Sequence, residues 1–239
     1  YLPVYHKEKL LAILFIKQKN KAIALDLDFT QALTNILVVA LENKRFARRQ
    51  LEQEVLKREM EIASQVQQLL FPATLPATQF LKAEVTYMPH SRVGGDYYDL
   101  IEDGNGKIYF CIADVSGKGM AAALLMSNFQ AALRTLLRSH TDLETLIHQL
   151  NFTLFDLTKG ERFITFFIGE YTKDTGELQF VNAGHNPPVL RDLKTNSVEF
   201  LEAGTTILGA FESLPFMEVG RRREMKDFML HLFTDGLTE

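Results

Sequence analysis

The chain has a single cysteine, little net charge and no long apolar run, and each shortage excludes a class of protein. One cysteine cannot form an internal disulfide, and Cys111 lies in an apolar run that predicts a buried strand. The formal net charge is -4 and the basic residues are scattered, which gives no reason to expect nucleic acid as a partner. No apolar run reaches the ~20 residues of a membrane span. These features predict a cytoplasmic globular protein with no membrane contact in this part of the chain.

Neither glycine nor proline occurs between about Phe29 and Leu70, so this segment predicts a continuous helix about 60 Å long. Its apolar residues recur close to the heptad spacing of a coiled coil. This seam consists of Leu37, Leu41, Leu51, Val55, Ile62, Val66 and Leu69. We therefore predict a helical connector that pairs two copies of the chain. Lys44, Arg48 and Arg58 make the seam imperfect, and the alternative is that it packs on the chain's own domain.

On either side of this helix the sequence pattern is different. Residues 1–28 contain two short β-like runs, which predict the last hairpin of an upstream domain or strands that pair with the next region. The chain begins with Tyr1 rather than methionine, which also favours a fragment of a longer protein. After Pro72 and Pro76, which end the helix, the pattern becomes α+β.

The C-terminal region predicts strands interrupted by a pair of helices. The helices are expected near 118–139 and 142–158. The strands are expected near 82–89, 107–114, 162–171, 177–183, 187–193, 198–201, 214–220 and 227–234. A block of strands broken by two consecutive helices favours packed antiparallel sheets that carry helices on a face.

Three aspartates, Asp96, Asp114 and Asp235, lie where a strand meets a glycine-containing turn. A cluster of carboxylates at such places needs a cation to balance its charge. Oxygen ligands suit Mg²⁺ or Mn²⁺, and no cysteine or histidine pair has the spacing of a zinc site. Each aspartate taken singly is better explained as a turn or capping residue, but the three together favour a metal site. Asp174, in a fourth acidic segment, follows no apolar strand and predicts a plain hairpin turn.

Two other motifs are incomplete. Residues 116–119 resemble the end of a phosphate-binding P-loop, but Ile112 and Gly119 stand where that motif needs a glycine and a Ser or Thr. Residues 94–96 resemble the start of the diguanylate cyclase signature, but a Tyr-Tyr pair replaces the Glu-Phe that completes it. A cyclic-nucleotide synthase is therefore only weakly supported.

Four motifs, in this order, resemble those of the bacterial SpoIIE/RsbU branch of the PPM metal-dependent protein serine/threonine phosphatases. They are Gly-Gly-Asp-Tyr-Tyr-Asp at 94–99, Ala-Asp-Val-Ser-Gly-Lys-Gly-Met at 113–120, Asn-Ala-Gly-His-Asn-Pro-Pro at 182–188 and Phe-Thr-Asp-Gly at 233–236. The resemblance covers roughly residues 65–239. A weaker resemblance relates the N-terminal hairpin and residues 26–43 to the end of a GAF sensor domain.

These resemblances imply three domains. Residues 1–43 would be the C-terminal part of a GAF-like sensor domain, and residues 44–76 a helical, coiled-coil-like linker. Residues 77–239 would form a SpoIIE-like phosphatase domain that is truncated at its C-terminus. The implied fold class is α+β, with a β-sandwich of antiparallel sheets flanked by helices and preceded by the long linker helix.

The resemblance also implies a site with two Mn²⁺ or Mg²⁺ ions at one edge of the sandwich. Asp114 would bridge both ions, the Val115 carbonyl would bind one of them, and Asp96 would help to hold the same site. Asp235 would bind the other ion. A hydroxide shared by the ions would attack the phosphorus atom. Substrate phosphate contacts are implied for the residues before the next helix, Gly117, Lys118 and Gly119.

The resemblance is not complete. Ser116 stands where related eukaryotic phosphatases carry a histidine that could protonate the leaving group, so that acid is unassigned. His185 lies where other relatives place an aspartate for a third metal, and we expect a structural role in the hairpin. The family's last metal-binding aspartate lies beyond the Thr-Asp-Gly segment, so a chain that ends at Glu239 is expected to lack it and could be inactive.

The leading hypothesis is an enzyme that dephosphorylates phosphoserine or phosphothreonine on a regulatory protein. The resemblance implies that this substrate is a STAS-domain anti-sigma-factor antagonist. The alternative is a non-catalytic, dimeric signalling scaffold that uses the phosphatase fold to bind partners. The intact set of aspartates favours the enzyme, because a scaffold has no need of clustered carboxylates.

Overall fold

The computed structural model describes residues 2–6, 9–15, 17, 26–75, 81–88, 92–139 and 142–237. The chain divides into two compact units, Tyr1–Met60 and Glu61–Glu239. This division falls inside the predicted linker, and the three-domain organisation expected from the sequence stays a prediction.

The first unit opens with an antiparallel hairpin of β1 (Leu2–His6) and β2 (Lys9–Leu14). Val4 is its buried apolar residue, and the exposed side chains of Leu10 and Ile13 lie on the second strand. The hairpin expected from the sequence is thus present, whereas its assignment to a GAF domain stays a prediction.

Helix α1 (Leu27–Gln68) lies within two residues of its predicted bounds. Asp26 caps its start, where the carboxylate accepts a hydrogen bond of 3.0 Å from the backbone N–H of Phe29. At its end, the N–H groups of Leu69 and Leu70 bond to carbonyls three residues back, which tightens the last turn. Pro72 then prevents continuation of the helix.

The apolar seam of α1 is open to solvent. The exposed fraction of its seven side chains ranges from 49% at Val55 to 82% at Leu69. The other five are Leu37, Leu41, Leu51, Ile62 and Val66. The pairing of two copies through this seam and its alternative, packing on the chain's own domain, both stay predictions.

The second unit contains two further helices and most of the strands. The helices are α2 (Met120–Arg138) and α3 (Leu143–Thr158), and Asp142 caps α3 by accepting a 2.9 Å hydrogen bond from the N–H of Thr145. The strands are β3 (Tyr97–Glu102), β4 (Lys107–Val115), β5 (Ile164–Thr172), β6 (Glu177–Ala183), β7 (Val189–Asp192), β8 (Val198–Phe200), β9 (Gly204–Thr205), β10 (Gly220–Arg222) and β11 (Phe228–His231).

These strands form two sheets. The larger has the order β10-β6-β5-β4-β3, and β9 adds to β6 as a parallel partner. The smaller has the order β11-β7-β8, and the other pairs in both sheets are antiparallel. The α+β class and the sandwich of mainly antiparallel sheets are therefore confirmed.

Strand β5 serves two apolar cores because alternate side chains of a strand face opposite sides of its sheet. Phe166 faces the helices and meets Phe129 of α2 edge to face, with ring centroids 4.9 Å apart. The next residue, Phe167, faces the small sheet and stacks on Phe180 at 5.9 Å. Each of these fully buried aromatic side chains contributes roughly 1.5–3 kcal/mol to stability. The large sheet is thus the middle of three layers.

Two strand predictions were wrong in part. Residues 82–88 form no strand, and two of their apolar side chains, Val85 and Met88, are 44% and 86% exposed, so they find no sheet to join. The strand expected near 214–220 is wrong except for its last residue, because β10 begins at Gly220. Conversely, β3 was not expected, because the acidic Asp99 interrupts its apolar pattern.

By length and composition, α2 is the one helix among the described ranges that could cross a membrane. Its apolar residues Met126, Phe129 and Leu133 are at most 1% exposed and belong to the core under the helices. Burial in that core accounts for its apolar composition.

Candidate metal centre

The register of β3 and β4 brings two of the predicted aspartates to the same end of the large sheet. The two strands run antiparallel, and Tyr97 lies opposite Ala113. Asp96 directly precedes Tyr97, and Asp114 directly follows Ala113, so both lie at this end of the strand pair. Both side chains are partly exposed.

Gly95 allows the backbone before Asp96 to approach the end of β4 closely. A Cβ atom at this position would lie 3.0 Å from the carbonyl oxygen of Val115 and 3.4 Å from Ala122. A larger residue would therefore push the two strand ends apart. The close approach keeps the Val115 carbonyl, a predicted ligand, next to the segment that carries Asp96.

The Thr-Asp-Gly segment after β11 reaches the same place. The hydroxyl of Thr234 donates a hydrogen bond of 3.1 Å to the carboxylate of Asp96, across 138 positions of sequence. Asp235 begins a short 3-10 turn, Asp235–Leu237, and it is exposed. The structure therefore brings together the three segments that carry the predicted aspartates.

His185 connects this last segment to β5. One ring nitrogen, Nδ1, lies 2.9 Å from the hydroxyl of Thr165, and the other, Nε2, lies 3.1 Å from the carbonyl oxygen of Phe233. Burial lowers the pKa of His185 to about 4, against smaller opposing effects of the Phe233 carbonyl and the charge of Asp235. The imidazole is therefore neutral at physiological pH.

Tyr87 places an unsatisfied donor near Asp96. Its hydroxyl is buried and lacks a hydrogen-bond partner among the described residues. Burial raises the pKa of Tyr87 to about 12, and the nearby charge of Asp96 adds to this effect. A buried polar atom without a partner is uncommon in proteins.

The loop of the predicted phosphate contacts follows β4 directly. Gly117 has a backbone φ of 99°, a conformation that favours glycine, and Lys118 is exposed. Gly119 precedes the first residue of α2 and carries no side chain that could cap the helix. The first amides of α2 therefore stay available for an anion, although this feature by itself does not define a site.

Ser116 and Arg162 hold this loop against the start of β5. The N–H of Ser116 donates to the carbonyl of Phe163 at 2.9 Å, and the N–H of Phe163 donates to the Ser116 hydroxyl at 3.0 Å. The guanidinium of Arg162 donates to the Ser116 carbonyl at 3.2 Å. Ser116 thus has a structural role. Arg162 is a cation near the site, and no local sequence pattern points to it.

The donors in this region fit a hard divalent cation in chemistry, since they are carboxylate and carbonyl oxygens. Within the part of the chain that the structure describes, however, no group of three His, Cys, Asp or Glu side chains is close enough to hold an ion. The joint metal site of Asp96, Asp114, Val115 and Asp235 therefore stays a prediction, as do the phosphate contacts.

The three-layer fold is that of the PP2C-type phosphatases. It matches the SiaA-PP2C domain of Pseudomonas aeruginosa with a TM-score of 0.64 and 18% identity, over 77% of this chain and 74% of that one. A family model, Stage II sporulation protein E (SpoIIE), matches residues 104–239, which is more than half of the chain. The chain belongs to the SpoIIE family.

Two relatives refine this placement. The chain is 33% identical over 187 residues to the phosphoserine phosphatase RsbU of Bacillus subtilis (strain 168). This alignment covers 78% of this chain and 55% of that protein. It also matches the structure of the RsbU and RsbW domains of Rv1364c from Mycobacterium tuberculosis, with 25% identity and a TM-score of 0.53. That match covers 63% of this chain and 41% of the other. The chain thus spans about half the length of its curated relative.

Proposed function

We propose that the chain carries the catalytic region of a metal-dependent protein phosphatase that hydrolyses phosphoserine or phosphothreonine on a regulatory protein. The observation that supports this most is the hydrogen bond from Thr234 to Asp96, because it joins two distant acidic segments beside Asp114. Membership of the SpoIIE family and similarity to a phosphoserine phosphatase agree with the proposal.

PP2C-type phosphatases are metal-dependent, generally with Mn²⁺ or Mg²⁺. In this chain the carboxylates of Asp96, Asp114 and Asp235 and the carbonyl of Val115 would hold two such ions. When bound, the ions supply a hydroxide at neutral pH and stabilise charge on a phosphoryl group. The carboxylate and carbonyl oxygens at the strand ends are the donor types that support a site of this kind.

The loop after β4 would receive the substrate phosphate. The exposed ammonium of Lys118 would attract the anion, and the backbone of Gly117 and Gly119 would leave room for its close approach. The hydroxyl of Ser116 accepts a hydrogen bond from the Phe163 N–H, so this side chain orients the loop. A proton donor for the leaving group is not assigned.

The substrate would be a phosphorylated STAS-domain protein of the anti-sigma-factor antagonist type, as the motif resemblance implies. The RsbU relative is a phosphoserine phosphatase, which supports a phosphoserine substrate. We further propose that two copies of the chain pair through the seam of α1. Its seven exposed apolar residues support this pairing, because such a surface is unfavourable in water.

The replacement Asp114→Asn in the full-length protein tests the proposed activity. It removes the carboxylate charge at similar size, and we expect turnover of a phosphoserine protein with Mn²⁺ to fall at least about a thousandfold. The matched control is Asp174→Asn, in the exposed turn between β5 and β6, and it should leave turnover unchanged. Circular dichroism checks that both variants stay folded.

Wild-type turnover by the Asp114→Asn variant would contradict the proposal. The scaffold alternative predicts that calorimetry detects no Mn²⁺ binding to the full-length protein while partner binding persists.

A further inference from the structure

His185 is almost fully buried, with 6% of its surface exposed, and it uses both ring nitrogens. Because a carbonyl oxygen can only accept, Nε2 must carry the proton and donate to Phe233 at 3.1 Å. Nδ1 is then an acceptor, so the hydroxyl proton of Thr165 points to it across 2.9 Å. The two contacts fix one tautomer and one orientation of the neutral ring.

The backbone of His185 is held as firmly as its ring. The side chain of Asn182 accepts from the N–H of His185 at 2.8 Å and donates to its carbonyl at 3.0 Å. Asn182 also lies 3.3 Å from the carbonyl of Leu201, and it is itself 5% exposed. The imidazole is therefore attached to a backbone segment that is buried and held in place by hydrogen bonds.

The two partners of the ring belong to the two sides of the candidate metal centre. Thr165 lies opposite Asp114 in the β4–β5 ladder, and its hydroxyl oxygen is 3.5 Å from the Asp114 carbonyl oxygen. Phe233 comes directly before Thr234, whose hydroxyl bonds to Asp96. His185 therefore links β5, next to Asp114, to the segment that bonds to Asp96.

We propose that His185 is a positioning residue that holds the Thr-Asp-Gly segment against the ends of β3 and β4. The inference rests on the proposed function and deepens it. Asp235 follows Phe233 by two residues, and both Phe233 and Thr234 contact residues beside the strand ends. Without the imidazole, the segment would keep its bond to Asp96 but lose its anchor on β5.

The test is Mn²⁺ titration by calorimetry on the full-length protein. His185→Phe keeps an aromatic ring but removes both hydrogen bonds, and we expect the Kd for Mn²⁺ to rise about tenfold or more, in the range of residues that orient metal ligands. Thr165→Val removes only the hydroxyl and should raise the Kd several-fold. His148→Phe, on the exposed face of α3, is the matched control and should bind as the wild type does.

Turnover separates positioning from a merely structural role. A positioning residue predicts that kcat falls at saturating Mn²⁺ while KM for the phosphoprotein stays within about twofold, since substrate contacts are elsewhere. If folded His185→Phe and Thr165→Val proteins bind Mn²⁺ as tightly as the wild type, the inference is wrong. If His185→Phe does not fold, the Thr165→Val result decides.

The failure of this inference differs from the failure of the proposed function. Mn²⁺ binding that Asp114→Asn abolishes and that the His185 and Thr165 variants retain would overturn the positioning role only. A wild-type protein that binds no Mn²⁺ would overturn both.

Discussion

Asp99 lies in the middle of β3, and its side chain is fully buried. The guanidinium of Arg134 donates to its two carboxylate oxygens at 2.7 and 3.0 Å, and the hydroxyl of Tyr97 donates at 2.5 Å. The N–H of Leu100 adds a fourth bond at 2.9 Å. Burial raises the pKa of Tyr97 well above its usual range, with added effects of Cys111 and Asp99, so its hydroxyl stays a donor.

Arg134→Met should therefore destabilise the protein by about 3 kcal/mol, the low end for a broken buried pair, because the Arg134 side chain is itself 37% exposed. Chemical denaturation measures this loss. Arg138→Met, at the exposed end of the same helix, should change stability by less than about 0.5 kcal/mol. Equal stability of the two variants would mean that the pair adds nothing.

At this scale the sequence predicted the acidic residues but not what links them. Asp114 ends a strand that the sequence predicts, and Asp96 directly follows a pair of glycines, which made both residues visible. The contacts of Thr165 and Thr234 depend on pairing across 20 and 138 positions, and no local pattern encodes these. The same is true of Arg162, whose partner Ser116 is 46 positions away.

Among the elements, α1 was the most predictable. Its uninterrupted run of helix-forming residues and its cap are local signals, and the observed helix follows them closely. Strand β3 was missed because burial of Asp99 is tolerated only with Arg134 in place, and this partner lies on a helix much later in the chain. Local pattern therefore identifies elements well except where a tertiary contact compensates an unfavourable residue.

Leu51→Glu in α1 should weaken pairing of the full-length protein. It places a charge on the exposed seam in both copies, and we expect the dimer Kd to rise at least about tenfold, equivalent to roughly 1.4 kcal/mol. Analytical ultracentrifugation measures the change. Gln53→Glu adds the same charge on the other side of the helix and should leave the Kd unchanged. A wild-type protein that is monomeric at all concentrations would refute the pairing.

For the whole molecule, the two cores lie entirely within the second unit, and their contacts begin at Leu70 and Phe71. The end of α1 belongs to this second unit and is bonded within it. The side-chain amide of Gln67 donates to the Gly94 carbonyl at 2.8 Å and accepts from the Gly94 N–H at 3.0 Å. The fold class followed from the order of strands and helices. The extent of the folded unit did not, because it depends on such distant contacts.

Residues 61–239 should thus fold without the first unit, and their melting temperature should lie within about 5 °C of the longer chain. Residues 77–239, the domain expected from the motifs, lack Gln67 and the packed side chains of Leu70 and Phe71. We expect this shorter piece to melt at least about 5 °C lower than residues 61–239. Calorimetry compares the two, and identical melting curves would show that the end of α1 adds no stability.

Because β5 contributes side chains to both cores, it restricts which insertions and deletions the sequence can accept during evolution. Inserting one residue between Thr165 and Phe166 would exchange the two faces of every position beyond it, so Phe167 would turn towards the helices. If the residues beyond the insertion kept their register instead, Thr165 would lose its place opposite Asp114. Variation in length should therefore accumulate in the exposed turns, such as the one at Asp174, while β5 keeps its residue count.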